Sequence, residues 1–447
     1  MKNLRLLKGF SLCIISLTFS CATDNDDYVN ISAQSNLESR ITELYGSKES
    51  LILPASNNYS LIPNDINNPL TAAKVELGKM LFHETAIGLN PIHSQGLNTY
   101  SCASCHHVAA GFQSGLQQGI GEGGIGFGLI GEGRIKSSNY SEMDLDIQPI
   151  RSPSVLNTAY QDVMLWNGQF GATGTNNGTE SNWTIGSPKE NNNLGFEGLE
   201  TQAIAGLDVH RLVIVRDSIL NSPYKELFDA AYPNITEIDR YTKLNAGLAI
   251  AAYERTLLSN EAPFQQWLKG DDLAMNDEEI EGATLFFSKG QCYSCHSGPG
   301  LNSMSFHALG MNDLAGPNIE TVVDEATKKG RGGFTGNSED DYKFKTPQLY
   351  NLKDVTFFGH GGSFQSLREV ISYKNQAVKE NQDVATDKLS PLFIPLNLTE
   401  NEIDLIVTFL ENSLYDSNLS RFVPEKLPSG KCFPNADSQS QKDLGFN

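Results

Sequence analysis

Ser101-Cys102-Ala103-Ser104-Cys105-His106 and, far downstream, Gln291-Cys292-Tyr293-Ser294-Cys295-His296 share one pattern: two thiols two residues apart, with a histidine directly after the second. In such a pentapeptide both thiols add to the vinyl groups of one haem, and the adjacent imidazole ligates the iron from one face. This is the c-type attachment pattern. A zinc ion held by the two Cys pairs, or a redox-active dithiol at each, accounts for the thiols but not for a histidine after both. A zinc site also draws its cysteines from one compact module, whereas these pairs are widely separated. The two loops therefore point to two covalently bound haem c groups, attached through Cys102, Cys105, Cys292 and Cys295, with His106 and His296 as iron ligands.

The surroundings of the two loops repeat as well. Gly78-Lys79-Met80-Leu81-Phe82 precedes the first and Gly282-Ala283-Thr284-Leu285-Phe286 the second, each at the end of a helical pattern. Thr71 is placed to cap the first helix, with Leu77, Met80 and Leu81 as its apolar stripe. Asn276 is placed to cap the second, with Glu279 completing a capping box. Between the loops, Leu244 to Leu258 is apolar at helical spacing. After them, Thr399 opens a helix over Glu400 to Asn412 with Ile403, Ile406, Val407 and Leu410 facing inward. The repeat reads as one ancestral haem domain used twice. Strand signals are few and short, so the expected class is mainly α, two cytochrome-c-like haem domains in tandem with long loops.

The chain of 447 residues has room for two or three domains. Its 53 acidic against 33 basic side chains, a formal charge of −20, disfavour a nucleic-acid partner, which needs a basic face, and suit a basic protein partner instead. Lys2, Arg5 and Lys8 followed by an apolar run from Phe10 to Phe19 read as an export signal over residues 1–20. The run is too short to span a bilayer. Cys21, after Ser20, resembles the lipid-modified cysteine of bacterial lipoproteins, so the expected location is the periplasm or cell envelope, with a lipid anchor at Cys21. Residues 21–60, rich in Asp, Asn and Ser, read as a tether and irregular lead-in. The expected domains are 61–265 and 266–415, with a tail over 416–447. Cys13 falls in the signal, and Cys432 is left without a partner.

Taken together, these residues resemble the bacterial di-haem cytochrome c peroxidases, including the relatives that mature methylamine dehydrogenase. The resemblance runs from about Asn64 to Leu414. It is carried by Leu77–Phe82, Ser101–His106, Ile150–Ala159, Leu165–Gln169, Ala249–Leu258 with Phe264, Gly282–Gly298 and Lys345–Leu367, in the family's order. It implies that the first haem meets hydrogen peroxide while the second takes electrons from a small donor protein, a cytochrome c or a copper protein. The peroxidatic iron needs one open face, and the relay iron needs two permanent ligands. The resemblance further implies that Trp166 lies between the haems and carries the electron. It also puts Gln202, in Leu199-Glu200-Thr201-Gln202-Ala203, in the distal pocket. A homodimer is an assembly to test.

Several positions depart from the family. The glutamate expected beyond Gln202 is missing. Asp208 and His210 are its nearest replacements, and His210, which titrates in the useful range, is the expected acid–base group. From Val108 to Ile150 there is no histidine to block the first iron, so that iron is expected to be open without reductive activation, with His107 and His93 as weak alternatives. The loop from Gly111 to Gly133 is instead rich in glycine, for flexibility or close backbone approach. A phosphate cradle there lacks its Lys-Ser/Thr pair. The family's methionine or tyrosine on the second iron aligns with Lys374, beside Tyr373, while Met304, Met311 and His307 follow the second loop. Arg151 stands where the family has an asparagine ligand to calcium, which puts calcium in doubt and offers a haem-propionate partner instead. The expected activity is reduction of hydrogen peroxide to water. The alternatives are a di-haem oxidase that oxidises a residue on a partner protein through a high-valent haem pair, and a plain electron-transfer cytochrome.

Overall fold

A computed structural model describes residues 31–446. The export signal and Cys21 lie outside the described residues. Helices dominate, and the strands are two-residue antiparallel pairs, Gly124–Ile125 with Ile135–Lys136 and Phe306–His307 with Phe344–Lys345. The mainly α class is the one expected.

The first departure is at the start. The stretch read as an irregular lead-in contains a helix, α1 (Ile31–Tyr45), followed by a short 3-10 turn over Lys48–Leu51. Leu37, Ile41, Leu51 and Leu53 are fully buried. Ala33, Leu37, Ile41 and Leu44 recur at helical spacing, but the Ser, Asn and Glu residues around them dilute the pattern. Gln34 fixes the helix to the C-terminal half, accepting from Trp267 Nε1 at 3.1 Å and donating to the Asp272 carbonyl at 2.7 Å.

The two halves repeat one helix crossing. α2 (Ala72–His83) begins at Thr71, whose hydroxyl accepts from the Lys74 amide at 3.2 Å. α3 (Gly198–Val209) and α4 (Lys243–Arg255) follow, and α4 packs on both α2 and α3. In the second half, α5 (Asp277–Phe286) starts with the Asn276–Glu279 capping box, both bonds at 3.0 Å. α6 (Leu367–Gln376) and α7 (Glu400–Thr408) each carry a capping box of their own, and α7 continues as a π turn through Ser413. A Cβ on Gly78 would lie 1.9 Å from the Ala249 carbonyl oxygen, and one on Gly282 would lie 2.0 Å from that of Leu405. The glycine of each repeated segment is therefore the point where α2 meets α4 and α5 meets α7 at backbone contact.

Two hydrophobic cores follow from this arrangement. One gathers Leu77, Leu81, Phe82, Ala249 and Tyr253, and the other Phe264, Ala283, Phe286, Ile406 and Phe409. The chain beyond residue 416 returns to the first: Leu419 and Phe422 enter its core, and the Tyr253 hydroxyl donates to the Phe422 carbonyl at 3.1 Å. A final short helix, Ser438–Asp443, ends beside the glycine-rich loop, where Asp443 accepts from the Phe127 amide at 2.8 Å.

Candidate haem centres

The second attachment loop leaves α5 as a 3-10 turn over Cys292–Ser294. His296 Nδ1 faces the carbonyls of Leu301 at 3.1 Å and Pro347 at 3.0 Å. Both neighbours are acceptors, so Nδ1 carries the proton and Nε2 presents its lone pair, the arrangement a metal-ligating imidazole needs. Burial, reinforced by Lys374, pushes this histidine down to about 4, so the ring is neutral near pH 7.

Cys292, Cys295 and His296 line a large cavity walled by apolar side chains that include Phe286, Leu367, Ile371, Ile406 and Leu410. Arg151 and Lys345 line the same cavity. Arg151 is 2% exposed and donates to the carbonyls of Leu116 at 2.7 Å and Ser114 at 3.1 Å and to Gln113 Oε1 at 3.1 Å. Lys345 donates to the Val163 carbonyl at 2.9 Å and to Gln161 Oε1. Desolvation lowers them to about 9 and about 7, and neither has a carboxylate ion-pair partner among the described residues. Two thiols and a neutral imidazole in an apolar cavity that also holds two buried cations without an ion-pair partner fit a haem with its two propionates.

Trp166 belongs to the first half and lines the same cavity. Its indole N–H donates to the Arg151 carbonyl at 2.8 Å, and its ring meets His360 edge-on with centroids 6.4 Å apart. His360 stacks on Phe344 at 3.6 Å and faces Asp313 Oδ1 at 3.3 Å. Of the candidates for the second iron's other face, Met311, His307 and Lys374 line the cavity, whereas Met304 and Tyr373 are not among its lining residues. Tyr373 is turned away, its hydroxyl donating to the Leu309 carbonyl at 2.5 Å.

The first loop, Cys102–Ser104, is also a 3-10 turn, and the tail holds it. Ser104 Oγ donates to Asn435 Oδ1 at 2.5 Å, and Ser101 Oγ to the Pro434 carbonyl at 2.9 Å. His106 Nδ1 is buried without a hydrogen-bond partner, and burial together with nearby His210 lowers this imidazole to about 4. A neutral histidine after two half-buried thiols again fits haem attachment.

His210 caps the C-terminus of α3. Its Nδ1 lies 2.9 and 3.0 Å from the two oxygens of Asp146, which is 7% exposed. Burial works to lower His210, but the Asp146 carboxylate outweighs it and holds the ring above its ordinary value, with Arg211 opposing. Gln202 lies two turns earlier on the same helix, partly buried. Asp208 is exposed and paired with Lys243, so it does not join this group. His93 bonds Asp144 at 3.2 Å, and His107 is buried against Phe127. A Cβ on Gly131 would lie 2.3 Å from His107 Nε2, and one on Gly115 would lie 1.7 Å from the Ile130 carbonyl oxygen. The glycines of this loop thus serve close backbone approach.

Two participants went unnoticed in the sequence. Asp146 lies in no motif, and only the fold brings it to His210. Glu254, within the Ala249–Leu258 helix, is buried with Oε2 unpartnered, and burial with nearby Glu200 pushes it up to about 8 beside Cys102. Its neighbour Arg255 is fully buried and bonds Glu200 through both carboxylate oxygens, at 2.9 and 2.7 Å.

Residues 72–273 match the family model for di-haem cytochrome c peroxidase. The chain is 29% identical to the cytochrome-c peroxidase IdrP1 of Denitromonas iodatirespirans over 371 residues, 78% of this chain and 84% of that one. It is 28% identical to the methylamine utilization protein MauG of Methylorubrum extorquens, over 78% of this chain and 80% of that one. Its fold superposes on the crystal structure of a MauG-like protein associated with microbial copper homeostasis with a TM-score of 0.57 at 21% identity, over 82% of this chain and 95% of that one.

Proposed function

Because the chain belongs to the di-haem cytochrome c peroxidase family, we propose that it reduces hydrogen peroxide to water at the His106 haem, drawing two electrons and two protons per peroxide. The electrons come from a small redox protein, a cytochrome c or a copper protein, through the His296 haem. Bound haem supplies the iron that cleaves the O–O bond and stores the electrons. The chain's own residues do the rest.

His210 is the acid–base group. In its neutral form the ring nitrogen not held by Asp146 accepts a proton from one peroxide oxygen and returns it to the departing one, while Asp146 fixes the tautomer and balances the charge on the imidazolium. Gln202 offers its amide to the same pocket. His107 is held among the glycines and His93 on Asp144, which supports a first iron open on its distal face. Trp166, in the wall of the second cavity and bonded to the Arg151 backbone, carries the electron between the halves. Arg151 and Lys345 hold the propionates of the second haem.

The observation that carries this reading is the pairing of half-buried His210 with buried Asp146 near His106, since a plain electron carrier has no use for an acid–base couple there. Steady-state peroxide consumption with reduced cytochrome c as donor tests it: turnover is expected, and silence from protein loaded with two haems refutes it.

A second reading, oxidation of a residue on a partner protein, draws support from the methylamine utilization relative, which is nearly as similar as the peroxidase. It predicts a long-lived oxidised state that a small donor does not discharge. Export and acylation at Cys21 complete the proposal, with mass spectrometry of the mature N-terminus as the check.

A further inference from the structure

α6 presents Leu367, Val370, Ile371 and Lys374 to the second cavity, at the i, i+3, i+4, i+7 spacing of one helix face. Three of these give apolar wall, and the fourth brings an amine among them. Tyr373, one residue earlier, falls off the stripe. The Lys374 ammonium lies 5.7 Å from the centre of the Phe393 ring, and no hydrogen bond or ion pair engages it among the described residues. It is close enough to Cys292, Cys295 and His296 to bias the charge of all three.

Among the other donors on the cavity wall His307 is committed, which leaves Met311 as the competitor that the test below must exclude. His307 has both ring nitrogens engaged, Nδ1 with Ser390 Oγ at 3.0 Å and Nε2 with Ser305 Oγ at 2.9 Å. Met311 packs against the cluster of Phe364, Tyr373 and Phe393, and its sulfur would lie 3.2 Å from a Cβ on Gly359. A propionate role is already assigned above to Arg151 and Lys345, which line the same cavity.

We propose that Lys374 Nζ is the second protein ligand of the C-terminal haem iron, across the ring from His296. On ligation the ammonium releases one proton to solvent and the nitrogen lone pair forms the Fe–N bond, with no change in iron oxidation state. The inference rests on the proposed role of that haem as a six-coordinate relay. A nitrogen donor in place of a thioether lowers the reduction potential.

The test is spectroscopic, on the full-length holoprotein with its haem count verified. The oxidised wild type is expected to show a low-spin second haem without the near-infrared charge-transfer band of a sulfur–iron bond. Lys374→Met is expected to create that band and shift the second potential upward, and Lys374→Ala to lose the low-spin signal of that haem. A sulfur–iron band in the wild type overturns the proposal, as does a low-spin second haem that survives Lys374→Ala and disappears in Met311→Leu. Even if no variant assembles, a sulfur–iron band in the wild type overturns the proposal. Peroxide turnover is measured separately, so amine ligation without turnover sinks the peroxidase reading alone, and turnover with a sulfur–iron band sinks the lysine alone.

Discussion

Asp146 grips His210 through both of its oxygens, at 2.9 and 3.0 Å, from a position almost sealed from water. The carboxylate outweighs the opposing burial, so the imidazole takes up a proton at higher pH than an isolated histidine does. In the role proposed for His210 the reactive form is neutral. The rate of reaction with peroxide is therefore expected to rise with pH through a value above the ordinary histidine range. In Asp146→Asn burial and Arg211 act without a counter-charge, and this limb is expected to move to lower pH. His210→Gln should slow the peroxide step by about 10²–10⁴-fold with haem content unchanged. Stopped-flow rates across pH check both. The same sign governs stability: the charged pair contributes fully below the unfolded-state value and is lost as pH rises through the folded one.

Trp166→Phe keeps an aromatic wall but removes the N–H bond to Arg151 and the more easily oxidised ring. Donor-driven turnover is expected to fall, while the single reaction of the pre-reduced enzyme with peroxide keeps its rate. Rapid-mixing traces of each haem's absorbance separate the two.

Arg255→Ala would leave Glu200, fully buried, without its main counter-charge. Such a loss costs about 3–5 kcal/mol, and denaturant unfolding should show it. Gly78→Ala and Gly282→Ala each drive a methyl group against a carbonyl of the crossing helix, and overpacking of this kind costs about 1–3 kcal/mol. Comparable losses in the two halves are expected, because the crossings are built alike.

Arg151 places a cation where the family resemblance suggested a calcium ligand, and its guanidinium already occupies the carbonyls of Leu116 and Ser114. Treatment with a calcium chelator is expected to leave peroxide turnover and the thermal midpoint unchanged. A drop in either that calcium restores would show a calcium site despite that charge.

What the sequence disclosed is what local chemistry encodes. Thr71, Asn276 and Thr399 cap the helices they were expected to cap, since a cap needs only the next three residues. The attachment loops were legible for the same reason. The Asp146–His210 contact was not, because it joins two loops whose meeting is set by tertiary packing. α1 was hidden by polar residues diluting a four-residue apolar stripe. Lys374 was visible as an oddity at an aligned position, but only the face of α6 shows that it, rather than Tyr373, looks into the cavity.

The segment that braces Ser101 and Ser104 lies more than three hundred residues further along the chain, at Pro434 and Asn435. Until Pro434 and Asn435 fold back, these contacts do not cover the turn bearing Cys102 and Cys105. An unfolded chain thus leaves these thiols open to covalent attachment, and the distant segment latches over the loop afterwards. A protein shortened before residue 430 is expected to acquire its first haem yet hold that loop loosely, visible as faster amide exchange at residues 101–106.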